Sequence, residues 1–191
     1  MVALVRAMQS GEIAATPALV LSSEPDAGGL AKAQDMGVPT AAVDWRRSGK
    51  DRAAHDALVA AELTKADVEI VACAGYLRIM TEAFVCAWQG RMINIHPSIL
   101  PAFRGLDTHA RALSAGCAVH GCTVHEIVPE LDAGHILGQA VVPVMGDDTP
   151  NSLAARVLTQ EHRLYPATLA AFVADPEAAR RQPISIFGQV G

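Results

Sequence analysis

The stretch Met92–Pro101, with the sequence MINIHPSILP, joins a short apolar strand to a rigid turn. Apolar side chains at positions 92, 93 and 95 favour a strand that is covered on both faces of a sheet. Pro97 and Pro101 do not fit continued regular structure, because proline lacks a backbone N–H and has a fixed φ. The pattern predicts a central strand that stops near residue 96.

Asn94 and His96 are the two polar residues of this strand. They are two positions apart, so a strand directs both side chains to the same face. Ligands of open α/β sheets bind at the carboxyl ends of the strands. An amide there can stabilise a developing oxyanion, and an imidazole can transfer a proton near neutral pH. Each residue alone also fits an ordinary structural hydrogen bond, although a buried strand asparagine needs a partner.

Apolar strand patterns and helical patterns alternate along the rest of the chain, which predicts an α/β fold. We expect a doubly wound, mostly parallel sheet with helices on both faces, in one domain over residues 1–191. The expected strands are 17–22, 40–43, 68–74, 92–96, 122–128 and 136–144. The expected helices are 1–9, 29–36, 51–65, 81–88, 108–114 and 148–172, with Asp26, Thr81 and either Asp148 or Thr149 as caps. The tail 174–191 is expected to be a weak strand or a frayed end.

The composition is that of a globular protein, with 51% hydrophobic residues among 191 and a net charge of −5. That charge gives no general attraction to nucleic acid or to an anionic membrane. No apolar run approaches the roughly 20 residues of a membrane span. The N-terminal residues 1–11 carry Arg6 and are typical of an amphipathic helix rather than a signal peptide. We therefore expect a cytoplasmic location.

The four cysteines are expected to be reduced and inert in that compartment. One local pattern, Cys117-x-x-His120-x-Cys122-x-x-His125, resembles the spacing of zinc ligands. However, a strand over 122–128 would direct Cys122 and His125 to opposite faces, where one metal ion could not reach both. We expect no metal site.

Three motifs together identify a resemblance. They are the stretch from Asn94 to Pro101, the segment Arg104-Gly105-Leu106-Asp107-Thr108-His109, and Glu130-Leu131-Asp132-Ala133-Gly134. The chain resembles the folate-dependent formyltransferases from Met1 to about Phe172, and among them most closely the phosphoribosylglycinamide formyltransferases. The resemblance implies an enzyme of de novo purine biosynthesis that transfers the formyl group of 10-formyltetrahydrofolate to the amine of phosphoribosylglycinamide. It implies a monomer or homodimer that uses small-molecule substrates and needs no metal, nucleic acid or membrane.

The same resemblance implies the catalytic roles. Asn94 would donate to the oxyanion of a tetrahedral intermediate, and His96 would transfer protons beside the formyl group. Asp132 would support and orient the imidazole of His96. Taken alone, an aspartate before Ala-Gly is an ordinary turn former, so the sequence does not show that Asp132 and His96 touch.

The binding residues are likewise implied by the resemblance. The segments around residues 76–80 and 128–132 would hold the pteridine of the folate, largely through their backbone. The folate-binding residues are Leu77, Arg78, Ile79, Met80, Val128, Glu130 and Leu131. The residues that bind the ribonucleotide are Arg52, Asn94, Pro97 and Glu161. His109, His120 and His125 also match histidines of the family and are interpreted as pocket-lining or structural.

Three other functions fit part of the pattern. A formyltetrahydrofolate hydrolase shares the Asn-His-Asp set and uses water, but typically carries an additional regulatory domain. Methionyl-tRNA formyltransferases have a second, RNA-binding domain, for which this chain has neither the length nor the basic patch. A non-catalytic folate- or nucleotide-binding module would bind folate without turnover.

The N-terminus departs from the family pattern. The family begins with a strand and a Gly-containing turn that holds the substrate phosphate at a helix N-terminus, which is favourable for an anion. Met1 aligns just after that turn, so the strand and the phosphate loop are missing from this sequence. We expect the recorded start to be an internal methionine of a longer protein; the alternative is a short chain with weak phosphate binding.

Overall fold

Strands and helices alternate along the chain in the computed structural model, which describes residues 1–76 and 78–188. The helices are α1 (Val2–Gln9), α2 (Gly28–Asp35), α3 (Arg52–Lys65), α4 (Glu82–Ala87), α5 (Thr108–Ser114), α6 (Pro150–Ala174) and α7 (Pro176–Arg181). The strands are β1 (Val20–Ser22), β2 (Thr40–Ala42), β3 (Val71–Cys73), β4 (Met92–His96), β5 (Val119–Glu126), β6 (Ile136–Pro143) and β7 (Ile184–Phe187). The connection between β2 and α3 contains a short 3₁₀ helix, Trp45–Ser48. Among the described helices, none combines the length and the apolar character that crossing a membrane requires.

The strands form two groups, a pair β1–β2 and a five-stranded sheet in the order β3-β4-β5-β6-β7. Within the described residues the pairs β1–β2, β3–β4 and β6–β7 are parallel, while β4–β5 and β5–β6 are antiparallel. The α/β fold class is confirmed, and the sheet is mixed. The strand expected in the tail is β7, which extends the sheet in parallel with β6.

Side-chain caps begin two of the helices as predicted. The hydroxyl of Thr81 accepts a hydrogen bond from the backbone N–H of Phe84 at 3.3 Å, and that of Thr149 accepts from Ser152 at 3.2 Å. The expected cap Asp26 is wrong. Helix α2 begins after Ala27, which has no capping side chain, because the preceding turn is closed by a bond from the Ala27 N–H to the Glu24 carbonyl.

The largest core lies between the sheet and α6. Apolar residues of α6 at helical spacing pack against one face of β4, β5 and β6. The fully buried members include Ile93, Val124, Leu137, Leu153, Val157, Leu164 and Phe172. Because Ile93 faces this core, the strand period of two directs Asn94 and His96 to the other face. The fold therefore exposes the polar face of β4 to the loops 97–107 and 127–135.

Candidate active site

The polar face of β4 lies opposite two residues of β5. Asn94 pairs with His125 and His96 with Thr123 in the antiparallel ladder. His96 is only 6% exposed, and His125 and Thr123 are buried as well. The cross-strand register thus gathers an amide, two imidazoles and a hydroxyl at the carboxyl end of β4.

Asp132 completes this group from the loop between β5 and β6. Its backbone has φ = 49°, a left-handed conformation that aspartate tolerates, and its Oδ2 accepts a hydrogen bond from the Gly105 N–H at 2.9 Å. The same oxygen is 3.5 Å from Nδ1 of His96. The Nε2 of His96 donates to the carbonyl of Phe103 at 3.1 Å, which means that this nitrogen carries a proton. A second proton on Nδ1 would therefore face the carboxylate directly.

His125 holds the amide of Asn94. Its Nδ1 donates to the backbone carbonyl of Glu126 at 2.8 Å, which leaves Nε2 of the neutral ring as an acceptor. That Nε2 accepts a hydrogen bond from Nδ2 of Asn94 at 3.3 Å and lies 3.7 Å from Oδ1 of Asp132. Burial lowers the pKa of His125, which favours this neutral form. One N–H of the Asn94 amide is thereby fixed and the other is left for a ligand.

The sequence motifs did not assign this role to His125. It was interpreted only as pocket-lining or structural, although it contacts both Asn94 and Asp132. The signal that could have found it is the antiparallel pairing of β4 with β5, which places residue 125 opposite residue 94. A register cannot be read from one strand alone.

The turn after β4 is fixed by buried hydroxyl groups. Thr123 donates to the Ser98 carbonyl at 2.7 Å and accepts from the Leu100 N–H at 3.0 Å. Thr108, at the start of α5, donates to the carbonyl of Pro97 at 2.6 Å. These bonds hold the wall of the site in place, and with it the Phe103 carbonyl that anchors His96.

Two further histidines, His109 and His120, stack edge to face behind this turn with ring centroids 5.1 Å apart. Nδ1 of His109 and Nε2 of His120 have no hydrogen-bond partner among the described residues. Burial, reinforced by the neighbouring His109, lowers the pKa of His120 to about 4. His120 is therefore neutral in the folded protein near pH 7.

This shift predicts a pH-dependent stability. Histidine in the unfolded chain has a pKa near 6.5. Between about pH 6.5 and pH 4 the unfolded chain therefore binds a proton at His120, whereas the folded protein keeps this ring neutral. The free energy of unfolding should therefore decrease as the pH is lowered from about 6.5 to about 4. On going from pH 7 to pH 4.5, the free energy of unfolding should decrease by roughly 2 kcal/mol less in His120→Gln than in the parent protein. Urea unfolding at both pH values measures this, with the exposed His162→Gln as control; equal losses in parent and His120→Gln would contradict it.

The first set of predicted folate-binding residues lies after β3. Leu77 lies outside the described residues. The guanidinium of Arg78 pairs with Glu24 and stacks on the ring of Trp45, with 5.3 Å to the ring centroid. Ile79 is 62% exposed, and Met80 is half-buried. An apolar side chain thus stands open to solvent where the prediction places the folate.

The second set lies in the loop that also carries Asp132. Leu131 is 58% exposed, Val128 is half-buried, and the carboxylate of Glu130 accepts a hydrogen bond from Arg104 at 2.6 Å. The structure brings this loop to His96 through Asp132. Among the described residues, the structure shows no hydrogen bond or ion pair between the loop residues Val128, Glu130 and Leu131 and the segment 78–80.

The predicted ribonucleotide-binding residues are more dispersed. Pro97 follows β4 directly, beside His96. Arg52 is exposed at the first position of α3, and Glu161 is half-buried on α6, where burial raises the pKa of its carboxyl and the amino group of Met1 opposes that shift. No recorded bond in the described part of the chain links Arg52 or Glu161 to Asn94, His96 or Asp132.

The side chains of the Cys/His pattern over residues 117–125 do not meet at one site. Cys122 packs in the core against α6, while His125 faces Asn94 on the other side of the sheet, as the strand period predicts. Within residues 1–76 and 78–188, no three His, Cys, Asp or Glu side chains are grouped to hold a metal ion.

The chain matches the family described as Formyl transferase over residues 1–169. It is 43% identical over 151 residues to the trifunctional purine biosynthetic protein adenosine-3 of Gallus gallus, covering 79% of this chain and 15% of that protein. It is 38% identical over 170 residues to the phosphoribosylglycinamide formyltransferase of Escherichia coli K12, covering 89% of this chain and 80% of that enzyme.

A solved structure, glycinamide ribonucleotide transformylase 1 from Symbiobacterium toebii, superposes with a TM-score of 0.87 at 39% identity. The superposition covers 90% of this chain and 81% of that one. The chain spans between 11% and 15% of the length of the trifunctional relatives it matches and about four fifths of the single-function bacterial ones. The fold and these matches together establish that the chain belongs to the formyl transferase family.

Proposed function

We propose that this protein transfers the formyl group of 10-formyltetrahydrofolate to the amine of phosphoribosylglycinamide in de novo purine biosynthesis. The observation that carries the proposal is the cluster of Asn94, His96 and Asp132 at the carboxyl end of β4, in which His96 is buried and the other two residues are half-buried. The relatives named phosphoribosylglycinamide formyltransferase and the Symbiobacterium structure support the choice of substrates.

In this proposal the amine of the glycinamide attacks the formyl carbon. The free amide N–H of Asn94 donates to the oxyanion that develops on the formyl oxygen, and the positive charge of a protonated His96 stabilises it electrostatically. The carboxylate of Asp132, 3.5 Å from Nδ1, stabilises the imidazolium. A new C–N bond forms to the glycinamide and the C–N bond to the folate breaks. The proton lost by the amine is returned to the folate nitrogen through the His96–Asp132 pair.

The binding surfaces follow from the same proposal. The backbone of residues 77–80 and of the loop with Val128, Glu130 and Leu131 holds the pteridine, with the open apolar side chains at positions 79 and 131 beside it. Pro97, Arg52 and Glu161 bind the ribonucleotide. The protein works on small molecules as a monomer or homodimer, without a metal ion, nucleic acid or membrane.

The test is a formyl-transfer assay that follows tetrahydrofolate production from 10-formyltetrahydrofolate, with and without phosphoribosylglycinamide. Production that depends on the amine supports the transferase. Production with water alone would replace it by the hydrolase function. Folate binding, measured by calorimetry, without any turnover would replace it by a binding module.

A further inference from the structure

Arg180 lies on α7, near the end of the described chain, and forms an ion pair with Glu126, the last residue of β5. Its Nη2 donates to Oε1 of Glu126 at 2.7 Å, and its Nε donates to Oε2 at 3.1 Å. Two parallel bonds of this kind fix the guanidinium and the carboxylate in one relative orientation. The two side chains are only 23% and 12% exposed, so water screens this pair less than an ordinary surface ion pair.

Helix α7 is itself anchored to the rest of the fold. The carboxylate of Asp175 caps it by accepting a hydrogen bond from the Ala178 N–H at 3.0 Å. Ala179 is buried in the core between the sheet and α6. Strand β7 follows α7 and pairs with β6. The guanidinium of Arg180 therefore acts on Glu126 from a fixed position.

The backbone of Glu126 connects this ion pair to the candidate active site. Its carbonyl accepts the hydrogen bond from Nδ1 of His125 at 2.8 Å. That bond leaves Nε2 of the same ring to accept from the amide of Asn94. The N–H of Glu126 donates to the carbonyl of His135 at 2.9 Å, which closes the loop that carries Asp132. A displacement of Glu126 would therefore move the His125 ring and the base of this loop together.

A second bond joins the same loop to α7. Nε2 of His135, the last residue before β6, donates to the backbone carbonyl of Arg180 at 2.8 Å. Helix α7 is thus bonded to both ends of the loop, to Glu126 where it begins and to His135 where it ends. Asp132 lies between these two points and is 3.5 Å from Nδ1 of His96. The position of α7 consequently bears on the position of this carboxylate.

The tautomer of His125 is the property that depends most directly on Glu126. With its proton on Nδ1, the ring donates to the Glu126 carbonyl and accepts from Asn94. With its proton on Nε2, the ring would instead face Oδ1 of Asp132, which is 3.7 Å away, and the Asn94 amide would lose its acceptor. Lengthening the bond to the Glu126 carbonyl therefore favours the tautomer that releases Asn94.

We propose that Arg180 is a positioning residue for formyl transfer, because through Glu126 it fixes the tautomer and orientation of His125 and thereby the amide of Asn94. Arg180 acts only through these other residues, so it is not a catalytic residue. A purely structural ion pair would contribute to the free energy of unfolding and leave the site unchanged when it is removed. The kinetic part of this inference rests on the proposed function, whereas the part that concerns the His125 ring does not.

Steady-state kinetics test the first part. In Arg180→Gln, which removes the charge and the paired donors, kcat should fall about tenfold, while KM for both substrates changes less than about threefold. Arg180→Lys keeps the charge without the two parallel bonds and should recover only part of kcat. Arg181→Gln is the control, since it removes the same charge from the same helix. Arg181 is exposed, and within residues 1–76 and 78–188 its side chain makes no hydrogen bond or ion pair, so this variant should match the parent.

Nitrogen-15 NMR of the histidine rings supplies a readout that a structural ion pair would not move, because it distinguishes a protonated ring nitrogen from a bare one. Comparison with His125→Gln identifies the signals of His125. Near pH 7 the parent and Arg181→Gln should show a protonated Nδ1 and a bare Nε2. In Arg180→Gln the two signals should move towards each other as the second tautomer becomes populated.

A double variant tests the path through Glu126. Arg180→Gln/Glu126→Gln should lose no more kcat than the larger of the two single losses, because both changes remove the same pair. Parental kcat and parental His125 signals in folded Arg180→Gln would overturn the proposal. If circular dichroism shows that Arg180→Gln is unfolded, the same two parental results in Arg180→Lys would overturn it. Absence of turnover in the parent would instead refute the proposed function, and the His125 signals would still decide the role of Arg180.

Discussion

Single replacement of Asn94, His96 or Asp132 should reduce kcat for formyl transfer by at least about 100-fold while the folded state persists. For Asn94→Ala the loss should be about 100- to 1,000-fold, the range for one oxyanion donor. The reason is geometric, since His125 fixes one amide N–H at 3.3 Å and thereby aims the other. An amide held in advance does not have to reorganise during the reaction.

Asp132→Asn is the most informative of these changes because it preserves shape. The asparagine oxygen can still accept the hydrogen bond from Gly105, but the negative charge 3.5 Å from His96 is lost. We expect kcat to fall strongly and KM for both substrates to change little, since the charge acts on the protonated imidazole in the transition state. The exposed Asp35→Asn on α2 is the matched control and should behave like the parent.

Steady-state rates with both substrates and circular dichroism melting curves on the same samples check these expectations. The double variant Asn94→Ala/His96→Ala should lose less than the product of the single losses, because both groups act on the same oxyanion. Near-parental turnover in Asp132→Asn or Asn94→Ala would rule out their proposed roles, whatever the fate of the fold.

The position of Asn94 and His96 could be predicted from the sequence because one strand decides it. Strand periodicity depends only on backbone geometry, and the apolar neighbour Ile93 had to face a core. The helix starts at Thr81 and Thr149 were predictable for the same local reason. Alternation of strands and helices likewise sufficed for the fold class.

What could not be read from the residues alone is the register between strands. His125 meets Asn94 only because β5 runs antiparallel to β4, whereas the pattern suggested a mostly parallel sheet. The approach of Asp132 to His96 came only from the resemblance, since it depends on the path of a loop between two strands. The roles of Arg52, Glu161 and the folate-binding residues stay predictions for similar reasons, because they depend on where a ligand lies.

Gly134→Ala should impair both stability and catalysis, although it adds only one methyl group. An ideal Cβ at Gly134 would lie 1.8 Å from the carbonyl oxygen of Glu126 and 2.7 Å from its carbon. That carbonyl also accepts the hydrogen bond from Nδ1 of His125. The Glu126 N–H is bonded to the His135 carbonyl at 2.9 Å, and its carboxylate is held by Arg180 at 2.7 Å. The backbone of Glu126 therefore cannot move away cheaply.

The loop between β5 and β6 must move instead, and this loop carries both Gly134 and Asp132. Displacing it should lengthen the contact between Asp132 and His96 and disturb the ring of His125, so we expect kcat to fall by about 10- to 100-fold, as misplacement of a catalytic group does. Overpacking should also lower the free energy of unfolding by roughly 1–3 kcal/mol. Backbone strain does not contribute, since the φ of Gly134 lies outside the left-handed region.

Gly146→Ala provides the matched control for this effect. Gly146 lies in the loop after β6, also has no left-handed φ, and an added Cβ would meet nothing within 4 Å. It should therefore keep parental rates and stability, or gain slightly because alanine restricts the unfolded chain. Urea unfolding and steady-state kinetics of the two variants separate the cases. If Gly134→Ala matched Gly146→Ala in both, the close approach of the loop to Glu126 would not be what positions Asp132.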